Sequence, residues 1–363
     1  MSDRRDLTPA IGTRAEPGAY RRGTEGGEVA LHRRSFADSL WSYLYGRDTR
    51  YGAEEVAADR VSAAALRARR GEMPDTVQGP VIQAPVWTWE VPLYFWFGGI
   101  AAGSSFVALA CDLAGDRGSA ATARKVALAA TAPCAPLLIA DLGRPGRFLN
   151  MLRIFKPRSP MSLGAWAMTL FGGLGAAAVA ADLTRRPRLA RALGGANAVV
   201  GGYFGSNTGV LLSSTAVPVW ARSRLFLGPI FVATAAATGA AASRLVLVGA
   251  GLPAGHPTRE ALGRVEAGAI ATEVALSAIN QRRLGGLSPA LEQGAAGRLF
   301  RGARRAVLAG LGLRLARRAG RVTHHLASVL YLAGGLAFRY AWLAAGRGSA
   351  ADYGAVARSA RRQ

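Results

Sequence analysis

The segment Ile139-Ala-Asp-Leu-Gly-Arg-Pro-Gly-Arg-Phe-Leu-Asn-Met-Leu-Arg-Ile-Phe-Lys-Pro-Arg-Ser-Pro-Met-Ser162 sets five cations and one carboxylate between two long apolar runs. Such a segment reads as a polar connection at a membrane surface, with cations at the ends of the flanking spans. Composition agrees, because half of the 363 residues are apolar and the charge is spread unevenly. Met1 to Val86 holds thirteen Arg against twelve acids, so the remaining thirty-two Lys or Arg and ten acids supply nearly all of the net +23. Those cations lie in the short links between apolar runs, where they face anionic lipid. A nucleic-acid binder of equal charge would gather its basic residues on one soluble face. No such face is visible, so membrane lipid is an expected partner and nucleic acid is not.

The chain divides by composition into three parts. Residues 1–86 form a hydrophilic extension with few aromatics outside Leu40-Trp-Ser-Tyr-Leu-Tyr45, expected to be mostly irregular, cytoplasmic and ordered by a partner. No apolar segment follows Met1-Ser-Asp-Arg-Arg-Asp-Leu-Thr8, so no signal peptide is expected. Residues 87–346 read as a transmembrane bundle, and 347–363 as a basic tail.

A helix needs about twenty apolar residues to cross the hydrocarbon. Runs of that kind predict spans near Val91–Ala114, Ala121–Leu142, Ser162–Leu183, Ala192–Val217, Leu225–Ala250, Gly263–Leu284 and Leu326–Gly346. An eighth, near Ala303–Ala319, requires Arg304, Arg305 and Arg314 to snorkel to the interfaces. The expected fold is therefore all-α, a polytopic membrane bundle of about eight transmembrane helices, with seven as the alternative. Small residues inside the spans, as in Gly98-Gly-Ile-Ala-Ala-Gly-Ser-Ser105 and Phe171-Gly-Gly-Leu-Gly-Ala-Ala-Ala178, suit the close backbone approach that holds helices together in lipid. A cytoplasmic N-terminus in the cell membrane puts slightly more positive charge on the inner loops.

The residue census narrows the chemistry. A haem anchor needs facing His ligands and an iron-sulfur cluster needs sets of Cys thiolates. The four histidines are His32, His256, His324 and His325, none deep in a span, and the cysteines are Cys111 and Cys134 alone. Each cysteine reads as a small packed residue. No cofactor is expected on this chain.

Two stretches, Trp87-Thr-Trp-Glu-Val-Pro-Leu-Tyr-Phe-Trp-Phe-Gly-Gly-Ile-Ala-Ala-Gly-Ser104 and Asp141-Leu-Gly-Arg-Pro-Gly-Arg-Phe-Leu-Asn-Met-Leu-Arg-Ile-Phe-Lys-Pro-Arg-Ser-Pro-Met-Ser-Leu-Gly-Ala-Trp166, resemble the NrfD / polysulfide-reductase membrane-subunit family. Gly209-Val-Leu-Leu-Ser-Ser-Thr-Ala-Val-Pro-Val-Trp220 resembles it as well. The segment before Pro85 and the closing helices are most similar to members associated with formate dehydrogenase-type molybdoenzymes. The resemblance implies a membrane anchor without its own prosthetic group, whose catalytic centre lies on a partner. It also implies two partners, a ferredoxin-like iron-sulfur subunit and a molybdopterin catalytic subunit. The exchangeable substrate it implies is a quinone, either menaquinone or ubiquinone.

Tyr94, one turn into the first span, matches a position where similar proteins can present a ring to a quinone carbonyl; its phenol donates while the ring stays in apolar surroundings. A belt aromatic beside Trp87, Trp89 and Trp96 is the competing role. Glu90, one turn earlier, is a proton relay or a solvated helix-start carboxylate. The family pattern often has Tyr before Thr-Gly-Val-Leu-Leu, whereas this chain has Ser206-Asn207-Thr208. Asn207 still donates and accepts, as a quinone contact or as an interhelical hydrogen bond.

In the loop, Asp141 beside Arg144 and Arg147 reads as an ionised pin formed by charge-assisted bonds, with proton transfer as the other role. Arg144, Arg147, Arg153 and Lys156 order the loop, hold lipid phosphates or face an acidic iron-sulfur partner. Phe148, Leu149, Leu152 and Phe155 give it an apolar side for the interface. Ser159 is a cap for the third span, with Pro160 as its first residue. Glu266 and Glu273, seven residues apart, fall on one helical face. With Asp112 they are candidates for a proton path, since ionisable residues in spans are costly. The bland alternative pairs Glu266 with Arg264 or Arg259 near the surface.

A transporter or proton channel lined by Glu266, Glu273 and Arg244, and a purely structural anchor with a decayed quinone site, are the competing functions. Broken helices or inverted repeats would favour transport; no self-similarity is evident. The purified chain should show no haem Soret band and no stoichiometric iron, because ligands for either are missing. A stoichiometric haem spectrum in the isolated subunit would overturn that reading.

Overall fold

The computed structural model describes residues 82–142, 146, 148–316 and 321–360, which are helical with no strand among them. By its contacts the chain divides into Met1–Gln83 and Ala84–Gln363, and all the described helices belong to the second unit. The N-terminal extension before residue 82, together with Arg144 and Arg147, lies outside the described residues.

Helix α1 spans Glu90–Leu113 and buries the small residues Gly98 to Ser105 apart from none of that run. Gly115, at φ 81°, takes the left-handed turn that other residues resist, and Asp116 then caps α2 by accepting from the Ser119 amide at 3.0 Å. The second span is built of two helices, α2 (Arg117–Thr131) and α3 (Cys134–Asp141). Pro133 explains the break, since it has no N–H for the ladder and its ring crowds the preceding turn. After the short α4 (Phe148–Arg153), α5 runs from Pro160 to Leu183 with the expected start, Ser159 capping and Pro160 in the first turn. α6 (Pro187–Ser213) ends before the predicted Val217, because Pro218 opens a separate short helix, α7 (Pro218–Arg222). α8 (Arg224–Gly249) and α9 (Pro257–Leu284) follow. The remaining helices are α10 (Pro289–Glu292), α11 (Gly294–Leu315), α12 (Arg321–Ala351) and α13 (Tyr353–Ala360).

Among the described residues five segments are long and apolar enough to cross a membrane: α1, α2 with α3, α5, α8 and Val322–Ala351 of α12. α6, α9 and α11 reach 27, 28 and 22 residues, so length alone would let each cross. They fall short on apolarity. The expected count of about eight spans is thus five by length and apolarity, with three more polar helices of equal reach. The segment read near Ala303–Ala319 is helical over Gly294–Leu315, and snorkelling does not describe its Arg314, which is buried against Glu266.

α8 is the hub, packing on α1, α6, α9 and α12, while α11 and α12 pair along their length. At the α1–α8 crossing Gly103 lies against the backbone of Ala235 and Gly239, and a Cβ on either glycine would collide with the other helix. Gly209 does the same against Leu227 where α6 meets α8. Between α11 and α12, Gly310 accepts the Tyr331 ring and Gly334 faces Val307. In lipid such contacts supply the dispersion and weak polar bonds that water exclusion cannot. Ser104 Oγ adds one, donating to the Gly239 carbonyl at 3.4 Å.

Two further devices close the bundle. Trp220 of α7 is buried over Gly346, donates Nε1–H to the Trp342 carbonyl at 2.9 Å and stacks on Trp87 at 5.7 Å. Arg124 of α2 grips Asp182 of α5 at 2.6 and 2.9 Å and Asp112 of α1 at 2.6 Å. Arg191 of α6 donates to the Asp112 carbonyl at 2.7 Å. A fork with two carboxylates on one guanidinium satisfies donors and acceptors together. Removing the cation would strand buried charge, a loss of about 3–5 kcal/mol.

Gly239→Val should force α1 and α8 apart, since no rotamer lets a side chain avoid backbone. The expected cost exceeds the ~1–3 kcal/mol of ordinary overpacking. Gly268→Val, where nothing lies within 4 Å of an added Cβ, serves as the control. Thermal unfolding of the two purified variants in detergent distinguishes them, and equal stability would refute the close contact.

Candidate functional site

Tyr94 sits on the face of α1 that meets α6. It is 3 % exposed, its ring 6.4 Å from Phe204 and 5.7 Å from Phe95. Phe204 approaches so closely because Gly98 has no side chain; a Cβ there would lie 3.2 Å from Phe204 Cζ. Among the described residues no hydrogen bond engages the Tyr94 hydroxyl, and its electrostatic neighbours are Cys134 of α3 and Tyr203 of α6. Trp89, in contrast to Tyr94, is exposed.

Asn207, one turn after Phe204 on α6, is 2 % exposed. Its amide nitrogen lies against Gly164 of α5, a spot that only glycine leaves open. Its carbonyl oxygen, Oδ1, is buried without a hydrogen-bond partner. Buried polar atoms usually find partners, so Tyr94 and Asn207 are two underused groups that share Phe204 as neighbour.

Glu90 begins α1 and accepts a hydrogen bond from Thr88 Oγ1. Tyr340 of α12 donates to the adjacent Trp89 carbonyl at 3.1 Å. Arg347, further along α12, lies within electrostatic range of both Asp141 and Glu90. Its Nε and Nη2 are buried without hydrogen-bond partners. The structure thus gathers Glu90 and Asp141, distant in sequence, around one guanidinium. Of the loop cations, Arg153 and Lys156 are exposed. The Lys156 amide donates to Ser162 Oγ at 3.0 Å, which folds the segment back on the start of α5. Leu149, Ile154 and Phe155 are exposed as well, with Phe155 edge-on to Trp166 at 6.0 Å.

Glu266 and Glu273 do share one face of α9, and both are buried. Glu266 pairs with Arg314 of α11 and accepts from Ser328 of α12 at 3.0 Å. Arg244 of α8 donates to the same Ser328 at 3.2 Å and to the His324 carbonyl at 3.1 Å. The surface partners considered for Glu266 are engaged elsewhere: Arg264 with Glu260 at 2.6 Å, and Arg259 with the Leu252 carbonyl at 3.2 Å. Glu273 accepts from Ser277 at 2.7 Å, with Arg339 and Arg304 in electrostatic range. Asp112 belongs to the Arg124 clamp. Outside the spans, Asp116 accepts from Thr258 Oγ1 at 2.5 Å, joining the start of α2 to the start of α9. Despite partial burial, its hydrogen bonds from Ser119 and Thr258 and the nearby His256 hold its carboxyl below the usual range.

Sequence reading missed Arg339, the most deeply buried cation, which is 2 % exposed and stacked 3.7 Å from the Phe231 ring centroid. Its signal was an Arg in the middle of the last apolar run, which by its expense asks for a partner. Arg347 was equally visible at the end of that run. Among the described residues no group of three or more His, Cys, Asp or Glu is placed to hold a metal ion.

Comparison with curated proteins gives no match. Comparison with protein families matches residues 78–280 to the family described as polysulphide reductase, NrfD. The matched region contains Glu90, Tyr94, the Asp141–Lys156 loop, Asn207, Glu266 and Glu273, and spans more than half of the 363 residues; the chain belongs to the NrfD family.

Proposed function

We propose that the chain carries electrons between a ferredoxin-like iron-sulfur subunit and the quinone pool, in a complex whose molybdopterin subunit is of formate dehydrogenase type. Family membership gives the coarser statement, a membrane subunit of a quinone-linked oxidoreductase. The observations that carry the finer one are two underused groups, Tyr94 where α1 meets α6 and Asn207 where α6 meets α5. Tyr94 is 3 % exposed and its hydroxyl makes no hydrogen bond among the described residues, and Asn207 has a buried Oδ1 without a partner. A quinone carbonyl can accept from the Tyr94 hydroxyl, and the hydroxyl of the reduced form can donate to Asn207 Oδ1.

The chemistry follows from what a quinone needs. Each carbonyl oxygen becomes more basic as electrons arrive and must be met by a donor. The Tyr94 hydroxyl donates to it, and the surrounding Phe95 and Phe204 keep water from competing. Asn207, through its amide, orients the second polar edge or the ring. Glu90, one turn nearer the end of α1, passes the proton toward the surface, where Arg347 balances its charge and that of Asp141. Arg153 and Lys156 are the exposed cations that meet lipid phosphate or the acidic face of the iron-sulfur partner, while Asp141, with Arg144 and Arg147, orders the loop. The N-terminal extension is assigned to the cytoplasmic side and to partner contacts.

Tyr94→Phe tests the assignment, because it deletes one hydroxyl and keeps the ring. Losing one hydrogen bond to the carbonyl costs about 1 kcal/mol, or about fivefold in quinone reduction, and more if the bond strengthens in the reduced form. Asp141→Ala should instead reduce recovery of the partner subunits. Quinone reduction and subunit co-purification are measured in parallel for both. A fully active Tyr94→Phe complex with normal quinone affinity would end the assignment, and recovery of the chain without a Cys-rich partner would end the electron-transfer reading.

A further inference from the structure

A cavity of about 30 Å³ opens between α8, α9, α11 and α12. Its polar lining is Glu273, Ser277, Gln281, Thr234 and Arg304; the rest is apolar. One water needs roughly 10–15 Å³ of such room, so the cavity admits about two waters. The cavity lies apart in sequence from Tyr94, none of its lining coming from α1.

The two carboxyls of α9 stand in different states of engagement. Glu266 is locked: Arg314 is in direct ion-pair contact, Ser328 donates to it, and Arg244 reaches the same Ser328. Glu273, 5 % exposed, has a hydroxyl donor and no direct ion pair among the described residues. The charged groups that face it are Arg304 from α11 and Arg339 from α12. From α8 it meets Thr234, whose hydroxyl donates to the Ile230 carbonyl at 2.8 Å. Its own helix adds Ser277 and Gln281. Burial favours the neutral acid and two guanidinium groups at a distance favour the anion. Opposed influences without a fixed partner leave a carboxyl able to change charge.

We propose that Glu273 is a proton-exchange site of the bundle, served by water in this cavity. In the exchange the Glu273 O–H bond breaks, its electron pair stays on the carboxylate, and the proton passes to a cavity water; the return step reverses this. Arg304 and Arg339 supply the compensating positive charge, so no oxidant or reductant enters. Arg339 is suited to the task because it is held from elsewhere, stacked on Phe231 and donating to the Phe231 carbonyl at 3.3 Å. Glu266, two helical turns and about 10 Å along α9, serves as a fixed ionic joint of α9, α11 and α12.

Dicyclohexylcarbodiimide tests this on the full chain, since the reagent partitions into apolar sites and modifies carboxylic acids in their protonated form. Peptide mass spectrometry should find the adduct on Glu273, with roughly tenfold less on Glu266, whose carboxylate is held in direct contact by Arg314. Labelling of Glu273 should fall as pH rises. Arg304→Gln or Arg339→Gln should move that fall upward by about one pH unit, because each removes a charge that favours the anion. Arg339→Lys should bring it back. Of the two Gln variants, Arg304→Gln removes the less enclosed cation and is the one to use if Arg339→Gln does not fold. Unlabelled Glu273, equal labelling of Glu266, or a yield independent of pH would each overturn the proposal. Labelling is read on the chain itself without quinone, so failure of the Tyr94 assignment leaves this outcome unchanged.

Discussion

Backbone contact between Gly103 and Gly239 is the constraint on which the other distances in this bundle depend. Lipid tails are as apolar as leucine, so helices gain nothing by hiding apolar side chains from them. Contact must instead be close enough for dispersion and for weak bonds such as Ser104 to the Gly239 carbonyl. With α1 drawn against α8 at that point, Phe95 meets Phe231 at 6.2 Å one side of the crossing. Arg339 Nη2 would stand 3.4 Å from a Cβ on Gly99, so α12 is seated in the same notch. Tyr94, one residue before Phe95, then faces α6, with Cys134 of α3 beside it. The position of the candidate quinone contact is a consequence of two glycines on other faces of the helices.

Charge is the second constraint, and it follows from the first. Helices this close leave no channel of bulk water to solvate an ion, so each buried ion must be answered locally. Arg124 answers two aspartates, and Glu266 is answered by Arg314 with Arg244 behind it. Arg339 is answered more loosely, by the Phe231 ring face and carbonyl and by Glu273 at a distance. A cation over an aromatic face keeps part of its electrostatic stabilisation without a counter-ion. That arrangement tolerates a change of charge at Glu273 better than a direct ion pair would. Only part of the polarity of α9 and α11 is turned inward, at Glu266, Glu273 and Arg314, while Arg264, Arg298, Arg301, Arg304 and Arg305 are exposed.

Local features of the fold were legible in the sequence, and partnerships were not. Ser159-Pro160 reads as a helix start because the cap and the proline act within one turn, and the structure has that start. Glu266 and Glu273 read as one face because seven residues make nearly two whole turns. The loop pattern led to the right family because it is contiguous. Arg124 with Asp182, 58 residues apart, and Arg314 with Glu266, 48 apart, depend on which helices become neighbours. No spacing rule reports that. Span counting meets the same difficulty: Arg304 and Arg314 weaken the apolar signal of α11, although Arg314 has its counter-charge on α9. The break at Pro133 was visible as a residue, yet a proline in an apolar run also occurs inside an unbroken helix, as Pro229 does in α8.

The two candidate sites differ in a way their chemistry requires. Around α6 the underused groups are neutral: the Tyr94 phenol, beside Phe95 and Phe204 where α1 meets α6, and the Asn207 amide against Gly164 of α5. A neutral quinone that must arrive and leave through lipid is served by hydrogen bonds without a fixed charge to desolvate. Around α9 the groups are charged, because a carboxyl that releases a proton needs nearby cations to make its anion tolerable. Tyr94, Phe95, Phe231 and Arg339 form a continuous line of contacts from the first region to the second. Along that line, the charge that balances Glu273 sits on the ring that packs beside the residue next to Tyr94. Hydrogen-bonding and charge-bearing sites are therefore kept apart in polarity and joined in packing.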